Sequence, residues 1–95
     1  MGMRFEWDKA KDRSNQAKHG IDFETAARVF LDPMIVIEQD RIETGEYRWQ
    51  ATGMVKMLLL VVAHTLRDLD DNEVIRIISA RRATKGERRR YERDG

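Results

Sequence analysis

The run Met57-Leu58-Leu59-Leu60-Val61-Val62-Ala63, carried on through His64-Thr65-Leu66, limits the possible folds of this chain more than any other feature. It is almost wholly apolar, yet far shorter than the roughly 20 residues a membrane helix needs. It also lacks the alternation of a half-exposed strand, so it predicts a central strand covered on both sides. With 41% hydrophobic and 37% charged residues, a 95-residue chain can surround that strand with one modest core. A single domain spanning residues 1–95 is therefore expected.

The flanking sequence supplies the rest of the sheet. Glu46 to Thr52 alternates, with Tyr47, Trp49 and Ala51 pointing one way and Glu46, Arg48 and Gln50 the other. Met34 to Glu38 and Glu73 to Ala80 read as further strands, with Arg76 interrupting an otherwise apolar face. The Asp68–Asn72 cluster reads as a loop. Phe5-Glu6-Trp7 is a short strand-like opening.

Helices are marked by their caps. Asp8 can open a helix to about Lys18 that Gly20 ends, with Phe5 and Trp7 as its expected anchor because its own least polar face is only Ala10, Ser14 and Ala17. Asp22 can open a second, with Phe23, Ala26, Ala27 and Phe30 as its core stripe and Asp32-Pro33 as its stop. Thr84-Lys85-Gly86-Glu87 has capping-box spacing. The helix it starts has no apolar stripe, only Tyr91, and is expected to be peripheral, mobile or docked on another molecule. The class is α+β: two N-terminal helices and a C-terminal helix around an antiparallel sheet of about four strands.

Charge is unevenly spread. Residues 1–75 carry 10 basic and 14 acidic side chains, and residues 76–95 carry 8 and 3. The basic end suggests a polyanion or an acidic protein partner, although a charge run taken alone is better read as a solvated helix. No apolar leader opens the chain and it has no cysteine, which fits a reducing cytoplasm. His19 and His64 are far apart and lack metal-ligand spacing, so no metal or other cofactor is expected. Asp70-Asp71 could meet a hard cation, but a solvated loop is the preferred reading.

Metal-free RNA cleavage remains open to these residue types. The RNA 2′-OH attacks its own phosphorus, so the protein must supply a base, an acid and fixed cations. Glu46 and Arg48 on one strand face, Arg67 ending the central strand and Arg81 ending the last could converge, with Glu46 as base and the arginines as phosphate ligands. Taken singly, each arginine is better explained as a surface ion pair. His19, in Lys18-His19-Gly20, sits in the negative potential of a helix C-terminus, which favours its protonated form and suits an acid. The competing explanation is that Lys18 and His19 complement the helix dipole. His64 reads as a core or edge histidine. Lys18, Arg76, Arg82 and Arg88 complete the expected RNA-binding set.

Phe5-Glu6-Trp7-Asp8, Lys11, Asn15, Lys18-His19-Gly20, Phe23-Glu24, Ala26, Val29-Phe30 and Asp32-Pro33 together resemble the start of BrnT family proteins. The resemblance continues through Gly45-Glu46, Arg48, Thr65, Arg67, Ile75-Arg76-Ile77-Ile78-Ser79-Ala80-Arg81, Ala83-Thr84, Glu87-Arg88 and Tyr91-Glu92. It implies a RelE-like α/β fold and a ribonuclease toxin that arrests translation. It also implies neutralisation by a BrnA-type antitoxin in a 2:2 assembly, with DNA bound only through the antitoxin and no membrane. The extra acidic residues at Asp68–Asn72 and Gly86 in the last helix depart from the pattern. The rival function is a non-catalytic nucleic-acid-binding module using the basic C-terminus, which would bind RNA or DNA in a salt-sensitive way and leave it intact.

Overall fold

The apolar run is the middle strand of the sheet. In the computed structural model, which describes residues 3–69 and 72–94, the strands are β1 (Arg4–Glu6), β2 (Val36–Glu43), β3 (Glu46–Val55), β4 (Leu58–Leu69) and β5 (Asn72–Arg82). They lie in the order β1-β5-β4-β3-β2. Leu60 and Val62 are fully buried on one face of β4, and Leu59 and Val61 are 3% exposed on the other. Of the expected Asp68–Asn72 loop, Asp68, Leu69 and Asn72 are paired strand residues, which corrects the expectation there, and Asp70 and Asp71 lie outside the described residues.

The sheet has five strands and is mixed, which corrects the expectation of four antiparallel strands. β1 pairs parallel to β5, Arg4 with Val74, Phe5 with Ile75 and Glu6 with Arg76. Parallel neighbours need a long crossover, and here the crossover contains nearly the whole domain. Hairpin logic between adjacent segments could not supply it.

Three helical segments complete the fold: α1 (Lys9–His19), α2 (Phe23–Ala27) and α3 (Lys85–Asp94). The caps are those the sequence marks. Asp8 accepts from the Ala10 amide at 3.2 Å, Gly20 closes α1 at φ +70°, and Asp22 accepts from the Thr25 amide at 2.8 Å. Beyond Ala27 the chain tightens into a 3-10 turn, Arg28–Leu31, which ends at Asp32 in an extended conformation. The tightening changes the stripe. With three residues per turn, Phe23, Ala26 and Val29 align and are all fully buried, while Ala27 and Phe30 are only partly covered. That turn lies close on β3, where a Cβ on Gly53 would stand 2.9 Å from Val29 Cγ1.

α1 is held differently from expectation. Phe5 and Trp7 pack on Phe30 and Phe23, with ring centroids 5.5 and 6.2 Å apart, but the residue of α1 that is buried is polar. Asn15 Nδ2 donates to the Ile21 and Ala80 carbonyls at 2.8 and 2.9 Å, and its Oδ1 accepts from the Ala80 amide at 3.1 Å. β1 reaches only as far as Arg76 along β5. Past that point the Asn15 carboxamide does what a further strand would do at that edge.

Alternation along the paired strands sorts side chains onto two faces. Phe5, Trp49, Ala51, Val62, His64, Ile75, Ile77 and Ala80 share the face that α2 and the 3-10 turn cover. Glu6, Gln50, Thr65, Arg67, Arg76 and Arg81 share the opposite face. The register shifts between Ala63 and His64, leaving Ile78 as an extra residue of β5. Without this bulge Arg76 and Arg81, five residues apart, would point to opposite sides.

Candidate nucleic-acid interface

The face opposite the core helices gathers most of the arginines singled out in the sequence. Arg67 and Arg76 meet at Glu6: both Nη1 atoms donate to Glu6 Oε2, at 3.1 and 3.0 Å. Register explains the meeting. Glu6 is level with Arg76 on β5, Arg76 is level with Thr65 on β4, and Arg67 is two residues along β4 from Thr65. Thr65 is 2% exposed, and its hydroxyl has no hydrogen-bond partner among the described residues.

Arg48 and Glu46 belong to the same end of this face. Glu46 and Arg67 each lie three residues beyond the Trp49–His64 pair. Arg48 Nη2 stands 3.4 Å from Glu43 Oε1, and Glu46 is exposed where β3 begins. Arg81 shares the face but not the end. It pairs with Val61, six residues along β4 from Arg67, a separation of about 20 Å at the usual rise per residue. Neighbouring antiparallel strands finish at opposite ends of a sheet, so two residues that each close a strand do not meet.

Arg81 instead holds α3. Its Nη1 and Nη2 donate to Glu87 Oε1 and Oε2, both at 2.8 Å, a two-point pairing of planar groups. Hydrogen bonding from Arg81 leads the causes that hold the Glu87 carboxyl down at about 2, with burial opposing, and the same partnership raises Arg81 above its ordinary value. The capping box is closed, the Thr84 amide donating to Glu87 Oε1 at 2.8 Å and the Glu87 amide to Thr84 Oγ1 at 3.2 Å. Farther along, Arg90 pairs with Glu38, and Tyr91 Oη donates to Asp32 Oδ2 at 2.6 Å. Burial pushes the Asp32 carboxyl up, but donation from the Met54 amide, Tyr91 and the Met34 amide outweighs it and leaves Asp32 below its usual range. Burial and this carboxylate push the Tyr91 phenol up to about 12. The C-terminal helix, expected to be peripheral, mobile or docked elsewhere, is therefore docked on its own sheet by polar contacts in place of an apolar stripe.

The remaining cations are scattered. Lys18 and His19 are exposed at the end of α1 and line a shallow depression with Lys11, Ser14, Asn15, Ile78 and Ser79 at the β5 edge. His19 is thus on the far side of the sheet from Glu46, more than about 15 Å away at ordinary strand spacing, and the structure does not bring the two together. Arg82 pairs with Leu60 and belongs to the helix side, and Arg88 lies on α3 within 4.0 Å of Glu92. His64 is 1% exposed, stands edge-on to Phe30 with centroids 5.0 Å apart, and has Nδ1 3.2 Å from the Val62 carbonyl. Burial depresses its pKa, as suits a core histidine. Among the described residues, no group of three or more His, Asp or Glu side chains is arranged to hold a metal ion, and no helix is long and apolar enough to cross a membrane.

Residues 7–87 match the family model for the BrnT ribonuclease toxin of type II toxin–antitoxin systems. The chain belongs to the BrnT family. No curated protein matches it. The BrnT family is one of ribonuclease toxins of two-component systems in which an antitoxin is the partner. Within the matched span lie Arg48, Arg67, Arg76 and Arg81, and also Glu87. Glu6 lies one residue before it, and its place was not legible in the sequence because only the parallel pairing of β1 brings it to the arginines. Asn15 and Asp32 were among the residues of the resemblance, but no spacing rule marked them as the polar anchors of α1 and α3.

Proposed function

We propose that this BrnT protein is a metal-independent endoribonuclease whose substrate lies across the face opposite the core helices. The observation that carries this reading is the meeting of Arg67 and Arg76 at Glu6, with Arg48 at the same end of the face. Two guanidiniums held by one carboxylate oxygen keep most of their N–H donors for another anion. A phosphodiester there would have its charge stabilised as the 2′-oxygen, giving up its proton to a base, attacks phosphorus; the P–O5′ bond breaks, the 5′-oxygen leaves as a hydroxyl on taking up a proton, and the other fragment keeps a 2′,3′-cyclic phosphate. Glu46 is the base nearer to that end. His19 is too far from Glu46 to serve the same phosphodiester and would be a phosphate contact at the β5 edge, with Lys18 beside it. Arg81 and Arg88, grouped around α3, would contact the chain farther along, while Arg82 would reach it only at the strand's end.

Translation arrest in the cytoplasm and neutralisation by a BrnA-type antitoxin in a 2:2 assembly complete the proposal. The experiment is cleavage of RNA by purified protein in EDTA. Cyclic or 3′-phosphate ends are expected, and Arg67→Ala or Arg76→Ala should slow cleavage roughly 100-fold or more, the usual cost of losing a donor to developing charge. A requirement for divalent metal, or 3′-hydroxyl ends, would overturn the mechanism. Binding without cleavage would favour the non-catalytic module.

A further inference from the structure

We infer that Glu6 is a positioning residue, which fixes Arg67 and Arg76 for phosphate binding; this rests on the ribonuclease reading of that face. β1 is only three residues long and lies at the sheet edge. Its alternation divides two tasks. Phe5 packs on Phe30, so Glu6 is turned to the opposite face, level with Arg76. There its Oε2 takes one N–H from each arginine and ties together three strands, β1, β5 and β4.

Arginine side chains carry substantial rotamer freedom, and the planar guanidinium loses less of it for each bond once its plane is set. Each guanidinium has five donors and commits one to Glu6 in this pairing. The carboxylate cancels one of the two positive charges, leaving the cluster net positive by one. Charge alone makes Glu6 a hindrance on a face that binds RNA. Geometry makes it a brace.

These two accounts predict opposite results for the same variant. If Glu6 only cancels charge, Glu6→Ala tightens RNA binding and leaves kcat unchanged. If Glu6 positions the arginines, Glu6→Ala lowers kcat about 10- to 100-fold while RNA affinity does not weaken, because misplacement of a group near the reacting atoms costs on that order. Glu6→Gln, which keeps length and one acceptor, should recover part of the loss. In an Arg67→Ala/Arg76→Ala background, Glu6→Ala should cost nothing more.

Steady-state cleavage of a labelled RNA gives kcat, single turnover with protein in excess checks that the loss lies in the cleavage step, and filter binding of an uncleavable 2′-deoxy analogue gives affinity. Side-chain 15N spectra of the arginines provide a reading independent of activity: slow exchange of the Arg67 and Arg76 Nη protons, with hindered rotation of the guanidinium, in the wild type should become fast in Glu6→Ala. Unchanged kcat, or an undiminished loss in the double-arginine background, overturns the proposal, the latter by making Glu6 act on its own. Mobile arginines in the wild type also overturn it. Wild-type protein that holds the arginines rigid yet cuts no RNA would leave the brace standing and defeat the ribonuclease reading alone.

Discussion

Asn15 and Thr65 show how much one polar atom can decide. The three hydrogen bonds of Asn15 complete the β5 edge, so Asn15→Ala would strand the Ala80 amide and two carbonyls at a site only 6% exposed. A loss of about 3 kcal/mol is expected, read as a lower denaturant midpoint with unchanged slope. Thr65 is the converse. Its buried hydroxyl has no partner among the described residues, so Thr65→Val keeps the shape and removes an unsatisfied group. It should stabilise the protein by about 1 kcal/mol, raising Tm by several degrees. Gly53→Ala belongs to the same scale. The new methyl would meet Val29 Cγ1 at 2.9 Å and the Val29 carbonyl oxygen at 3.1 Å, and overpacking of this kind costs about 1–3 kcal/mol.

At the scale of the element, α3 is a helix fastened by ionisable groups. Glu87 is held down from 4.5 to about 2, so its contribution is complete above about pH 5 and fades as pH falls toward 2. Tyr91 is raised from 10.0 to about 12, so its contribution is complete below pH 10 and is lost as pH climbs through 12. Helicity followed by circular dichroism should therefore drop at both extremes, with the α3 amides exchanging faster at each. Tyr91→Phe should remove the alkaline step, and Glu87→Gln should shrink the acid step, the remainder belonging to Asp32, which is also held below its usual range. The same contacts complicate the reading of Arg81→Ala, because it frees Glu87 and loosens α3 as well as removing a cation. Comparing it with Glu87→Gln separates the two effects: activity lost in Arg81→Ala but kept in Glu87→Gln assigns a contact with RNA to the guanidinium.

For the whole molecule, the two sheet faces pose different questions. The arginine face is crossed at one end by α3, and an antitoxin that works by occupation would cover Arg81 and α3. Hydrogen exchange should then show added protection over residues 81–93 in the complex. The other face keeps an apolar area beyond the 3-10 turn, where Met3, Ile37 and Leu66 remain 49, 50 and 43% exposed around Phe30 and Trp49. Protection confined to β2 and the start of β5 would place the antitoxin there and leave the arginine face open in the complex.

The central strand, the caps at Asp8, Asp22 and Thr84, the stop at Asp32-Pro33 and the two-sided pattern of β3 were all legible along the chain. Each of these depends on neighbours within about four residues, through strand alternation, a capping hydrogen bond or the restriction before proline. The motif set was legible for the same reason, since order and spacing along a chain survive without coordinates. Three features needed the folded chain: β1 joins the sheet beside β5, the Ile78 bulge puts Arg76 and Arg81 on one face, and Arg81 serves α3 at the other end from Arg67. The folded chain also makes Asn15 and Asp32 the anchors of helices lacking apolar stripes. The physical reason is range. Glu6 lies 61 residues from Arg67 and 70 from Arg76, and a carboxylate recognises a guanidinium only when the backbone has already brought the two within hydrogen-bonding distance.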